Sequence, residues 1–179
     1  MIVIKKDVKM KSDKQILQLV EQKIYSAISQ RLKRFIKPNL TLNQVDEINL
    51  ELVKKLKSVY GIGGLILDVD ETLRKNMMNI PTCNKRWIEF MKQEFKVLIL
   101  SNGYDQQVKG FANENGIEYI GFAKKPLKRY FLDACNKMGL NPENVLVIGD
   151  DIINDIHGAN KCGMITAIVD NVKSDEIEI

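Results

Sequence analysis

Apolar residues recur along this chain at two different periods, and the change from one to the other organises it. From Ser12 to Phe35 the residues Leu17, Val20, Ile24, Ile28, Leu32 and Phe35 follow at steps of three or four. That is the stripe of an amphipathic helix, with Ser12 as its N-cap and Pro38 beyond its end. "NLTLNQVDEIN" has little periodicity and reads as a loop, and Ile48 to Tyr60 reads as a second helix closed by Gly61 as a left-handed cap. Short apolar runs then replace the stripes: "GLILD" (64–68), "KVLIL" (96–100), "EYIGF" (118–122), "VLVIG" (145–149) and "ITAIV" (165–169). Helical stretches near 83–94, 104–115, 127–138 and 152–162 separate them. Continuous apolar strands alternating with helices predict a parallel sheet covered on both faces, an α/β doubly wound domain of about five strands.

Ligands of such sheets lie outside the carboxyl ends of the strands. Those ends carry Asp68-Val69-Asp70, then Ser101-Asn102-Gly103, then Lys124-Lys125-Pro126, then Gly149-Asp150-Asp151 with Asp155 beyond. Facing carboxylates repel unless a cation lies between them, and oxygen donors select a hard ion, of which Mg²⁺ is the natural occupant. A cation beside a serine and a lysine describes a site for a phosphoryl group. One Asp can attack phosphorus and form an aspartyl-phosphate, and a second can exchange the proton of the leaving oxygen and of water. The only histidine, His157, falls inside a predicted helix and reads as a packed or surface residue. "GIGG" at 61–64 precedes a strand, whereas a dinucleotide fingerprint follows one, so it reads as a helix stop and turn.

"DVDETL", "LILSNG", "KKP" and "VIGDDIIND" resemble motifs I to IV of the haloacid dehalogenase (HAD) superfamily of phosphohydrolases, over about residues 37–179. Within it, "GIGGLILDVDETL", "AKKPLKRYF" and "VIGDDIINDIHGANKCGM" most resemble subfamily IIIA, the YqeG-like branch that includes the mitochondrial phosphatidylglycerophosphate phosphatases. The resemblance implies a Rossmann-like HAD fold and Mg²⁺-dependent hydrolysis of a phosphomonoester. It makes Asp68 the nucleophile and a metal ligand, and Asp70 the general acid/base and a ligand through its backbone carbonyl. Ser101, with Asn102 and Lys125, would bind the phosphoryl group, and Lys125 would neutralise the phosphoaspartate. Asp150 and Asp155 would complete the metal site, Asp155 directly or through water. Glu71, Gly103 and Asn154 stand where this branch commonly has Asn, Asn and Thr. Between Thr72 and Lys96 there is room for a loop and one helix, and between Gly103 and Lys124 for one helix and a strand, so no large cap domain is expected.

Composition narrows the setting. The chain has 179 residues, 45% hydrophobic and 28% charged, as in a soluble globular protein. Its apolar runs are far shorter than the roughly 20 residues of a membrane span. "MIVIKKDVKMKSDK" has too short an apolar segment for a secretory signal, so a cytoplasmic protein is expected. Cys83, Cys135 and Cys162 are scattered and read as reduced thiols. Residues 1–60 carry 13 Lys/Arg against 6 Asp/Glu, whereas residues 61–179 carry 14 against 17. The expected organisation is a basic helical extension over 1–36 and a phosphatase domain over 37–179. The extension could be a solvated face, a cover for an open site, or a contact with anionic lipid at the inner membrane surface. Phosphatidylglycerophosphate is the expected substrate, with phosphoprotein, sugar phosphate or nucleotide substrates, or a non-catalytic binding module, as alternatives. No nucleic-acid partner is expected, and an oligomer is left open.

Overall fold

The computed structural model describes residues 35–172. All of the predicted helix over 12–35 except Phe35, and with it nearly all of the basic extension, lies outside the described residues. Six parallel strands form one sheet: β1 (Leu40–Leu42), β2 (Gly64–Leu67), β3 (Lys96–Leu100), β4 (Glu118–Ile120), β5 (Val145–Gly149) and β6 (Ile165–Val169), in the order β1-β6-β5-β2-β3-β4. The connections hold α1 (Leu50–Ser58), α2 (Thr82–Glu94), α3 (Gln106–Glu114) and α4 (Lys128–Met138). Between β5 and β6 a π-helical stretch, Ile152–His157, runs into the short α5 (Gly158–Asn160).

The predicted doubly wound sheet is present, with one strand more than expected. Leu40–Leu42 lies in the stretch read as a loop, yet it pairs with β6 in the register Leu40↔Ala167, Thr41↔Ile168 and Leu42↔Val169. Three residues are too few to show a period, and an edge strand of that length exists only because β6 offers it a partner. Gly61 does turn the chain at φ 64, but α1 ends earlier, at Ser58. Asn49 caps the start of α1 by accepting from the Glu51 and Leu52 backbone N–H groups.

Alternation along the central strands explains their unbroken hydrophobicity. Leu65 and Leu67 of β2 pack with Trp87, Ile88 and Met91 of α2 and with Val53 and Leu56 of α1. Ile66 points the other way, onto Phe131, Ala134 and Met138 of α4. Each strand residue therefore meets a helix whichever way it faces. The connections after β2 and β3 each hold a single helix, so among the described residues no folded insertion covers the carboxyl edge of the sheet. No helix among them is long and apolar enough to cross a membrane.

From β2 the chain winds to β3 on one side, while β5 lies against β2 on the other, with Leu67 level with both Ile99 and Ile148. The order of strands reverses there, and a crevice opens between the carboxyl ends of β2 and β5.

Candidate active site

The crevice holds all the acids singled out in the sequence. A cleft of about 270 Å³ is lined by Asp68, Asp70, Glu71, Ser101, Asn102, Gly103, Lys125, Asp150, Asp151, Asn154 and Asp155. Asp68 follows β2 directly, and its backbone N–H donates to the Ile148 carbonyl at 2.9 Å, which ties the β2 end to β5.

Lys125 is the hub. Its Nζ donates to Asp68 Oδ1 and to Asp155 Oδ1, each at 2.6 Å, and the residue is only 7% exposed. Burial by itself would lower its pKa, but the charges of Asp155 and Asp68 and their hydrogen bonds outweigh that and hold it above the ordinary lysine value. Asp155, 1% exposed, accepts the Asp151 N–H on its other oxygen at 3.1 Å. Burial and the neighbouring Asp68 charge raise its pKa. The Asp150 carboxyl is pushed up to about 6, first by burial and then by Asp68.

Local structure explains how Asp155 reaches the cleft. Asp151 caps the helical stretch by accepting from the Ile153 and Asn154 N–H groups at 2.7 and 3.0 Å. Both the Asp155 and Ile156 N–H groups donate to the Asp151 carbonyl, and the wider winding brings Asp155 back under Gly149. A Cβ on Gly149 would collide with the Asp155 side chain, so this approach needs glycine.

Carboxylate oxygens of Asp68, Asp150 and Asp155 all lie within 4.8 Å of one another. Three carboxylates against one ammonium leave two negative charges in a largely buried space. Oxygen-only donors and that residual charge fit a hard divalent cation, which would lower both raised carboxyl pKa values. Asp70 is not part of this group. Its Oδ1 accepts from Arg74 Nε at 2.8 Å.

Ser101 Oγ accepts the Gly103 N–H at 3.2 Å, which leaves its own proton to donate. The Asn102 side chain is engaged elsewhere: its Oδ1 accepts the Lys125 N–H at 2.6 Å and its Nδ2 donates to the Lys125 carbonyl at 3.3 Å. It therefore clamps the loop that carries the lysine. That loop has two non-glycine residues in the left-handed region, Phe122 (φ 52) and Lys124 (φ 46), and the turn beside Asp70 has a third, Glu71 (φ 60). Such conformations cost about 1–3 kcal/mol each and gather where backbone placement matters for function.

Three contributors were not visible in the sequence. The buried Thr72 hydroxyl lies 3.5 Å from Asp68 Oδ2 and 3.4 Å from Asp150 Oδ1, able to give its proton to either. Arg74 and Asp105 form an ion pair behind Asp70, Nη2 to Oδ2 at 3.0 Å. The i,i+4 spacing of Asp70 and Arg74 is a signal only on a helix, and this segment is a turn.

A family model described as haloacid dehalogenase-like hydrolase matches residues 14–163. Over 149 residues the chain is 34% identical to the Probable phosphatase YqeG of Bacillus subtilis (strain 168), covering 81% of this chain and 83% of that protein. Among solved structures, a hypothetical protein from Xanthomonas campestris matches with a TM-score of 0.53 at 17% identity, over 71% of this chain and 73% of that one. A HAD family enzyme from Bacteroides thetaiotaomicron, solved with magnesium and inorganic phosphate, matches with a TM-score of 0.50 at 16% identity, over 66% and 97%. The two structures are alike in fold, while the family model and the Bacillus relative extend over most of this chain. The chain belongs to the haloacid dehalogenase-like hydrolases and is an enzyme of their phosphatase branch.

Proposed function

We propose that the protein is a Mg²⁺-dependent phosphomonoester hydrolase working through a phosphoaspartate on Asp68. The observation that carries this is the convergence of Asp68, Lys125, Asp155 and Asp150 from three strand ends in one cleft beside Ser101. Ser101, Lys125 and the backbone around Asn102 bind the phosphoryl oxygens. An Asp68 oxygen attacks phosphorus, the ester P–O bond breaks, and Asp70 gives its proton to the departing alkoxide. Water then attacks the same phosphorus and passes a proton to Asp70. The bond from Asp68 to phosphorus breaks, and inorganic phosphate leaves with Asp68 restored. Magnesium, held by Asp68, Asp150 and Asp155 with the Asp70 carbonyl, would neutralise charge on the phosphoryl oxygens. Turnover of 4-nitrophenyl phosphate should require Mg²⁺ and should fall at least about a thousandfold in Asp68→Asn. Equal activity in the two proteins would leave only a binding module with this fold.

The proposed substrate is phosphatidylglycerophosphate, hydrolysed to phosphatidylglycerol at the cytoplasmic face of a membrane. Residues 37–179 would form the catalytic domain, with 1–36 as a basic extension that recruits it. The loops that supply the cleft support this reading. Met77 and Met78 after β2, Tyr104 after β3, and Phe122 and Leu127 after β4 are all exposed. Lys75, Lys109, Lys124 and Lys128 are exposed on or beside the same loops. Apolar tips among lysines suit an anionic lipid surface. In mixed micelles the lipid phosphate should give the highest kcat/KM of a panel with phosphopeptides, sugar phosphates and nucleotides. A hundredfold preference for one of those, about 2.7 kcal/mol, would overturn the lipid assignment.

A further inference from the structure

Arg74 is the largest fully buried side chain described, 1% exposed, and it lies outside the residues that line the cleft. Burying a guanidinium is costly unless acids receive its donors. Two do: Nε donates to Asp70 Oδ1 at 2.8 Å and Nη2 pairs with Asp105 Oδ2 at 3.0 Å. Asp105 is itself fixed, because its Oδ1 caps α3 by accepting the Gln107 and Val108 N–H groups at 2.7 and 3.2 Å. The backbone of Arg74 is fixed too. Its N–H donates to the Val69 carbonyl at 3.1 Å, its carbonyl accepts the Glu71 N–H at 2.7 Å, and the preceding Leu73 carbonyl accepts from buried Asn84 at 2.8 Å. A rigid strut thus runs from the start of α3 to Asp70, whose own side chain is 41% exposed at the cleft.

We propose that Arg74, braced by Asp105, is the positioning residue for the general acid/base Asp70: it cannot touch substrate, and it fixes the one catalytic carboxylate that the metal cluster and Lys125 do not hold. The proposal rests on the role given to Asp70 above. Without the strut, an exposed aspartate would sample several rotamers and present its proton to the leaving oxygen only part of the time.

The test compares leaving groups, because a good one departs without a proton and a poor one does not. kcat/KM reports phosphoryl transfer to Asp68 and is measured for 4-nitrophenyl phosphate and for an alkyl phosphate, in full-length protein with Mg²⁺. Asp70→Asn should lose far more on the alkyl ester. Arg74→Met and Asp105→Asn should show the same asymmetry in weaker form, with losses on the alkyl ester at least about tenfold larger than on the nitrophenyl ester. Asp105→Asn keeps an acceptor to cap α3 while removing the charge that braces Arg74, so it carries the test if Arg74→Met does not fold. Equal losses on both esters in folded Arg74 and Asp105 variants, beside an asymmetric Asp70→Asn, would overturn the positioning role alone. A symmetric Asp70→Asn would overturn the acid/base assignment and this inference with it.

Discussion

Replacing Lys125 with Met should unlock the acid cluster without changing its backbone. The lysine bonds two carboxylates at 2.6 Å and is nearly inaccessible to water. At an effective dielectric of about 20, each such contact has a gross Coulomb attraction of roughly 6 kcal/mol, most of it offset by desolvation of the three groups. Removing one partner of a buried pair typically costs about 3–5 kcal/mol, because the others stay buried and unpaired. Here the lower end applies, since Asp155 already has a raised pKa and can take up a proton when the ammonium is lost. A loss of about 3 kcal/mol corresponds to roughly 6–12 °C in Tm for a chain of this size. The assay is thermal unfolding of Lys125→Met and wild type, each with chelator and with saturating Mg²⁺. In the mutant no ammonium repels the cation, and cation binding displaces the proton that Asp155 takes up, so the cation should raise the mutant Tm by more than the wild-type Tm. A mutant Tm within about 2 °C of wild type in chelator would mean that Lys125 does not hold the cluster together. A deficit of the same size with and without Mg²⁺ would mean that the cation binds elsewhere.

Other consequences follow from the same geometry. Gly149→Ala places a methyl group against Asp155, which has no room to move away, and should cost about 1–3 kcal/mol and most of the Mg²⁺-dependent activity. Gly110→Ala, on α3 with open space around it, is the control and should cost neither stability nor activity. Normal Mg²⁺ activation in Gly149→Ala would contradict the placement of Asp155. The Asp150 carboxyl, pushed up from 3.8 to about 6, binds its proton more readily folded than unfolded. That contribution favours the metal-free fold below about pH 4 and is lost as pH rises through 6. The Tm in chelator should therefore decline between pH 4 and 7, and less so in Asp150→Asn; parallel profiles would refute the shift.

The polar residues at the strand ends were legible in the sequence because two kinds of information are local. Period fixes element type, as in "VLVIG", where unbroken burial follows from helices on both faces, and an element's end fixes which edge its polar residues reach. The sequence alone therefore assigns Asp68, Ser101, Lys125 and Asp150 to one edge. Proximity across the chain is not local. The reversal of winding between β2 and β5 decides that Asp68 lies beside Asp150, and the π-wound turn over Gly149 decides that Asp155 faces Lys125. Leu40–Leu42 became a strand because β6 had an open edge, although its own three residues carry no period. Asn102, read as a phosphate contact, has its side chain drawn to the Lys125 backbone. Arg74 stands in "DETLRK" with nothing local to single it out. Only folding shows that it is buried, because the two acids that receive its charge come from different strand ends, 35 positions apart along the chain.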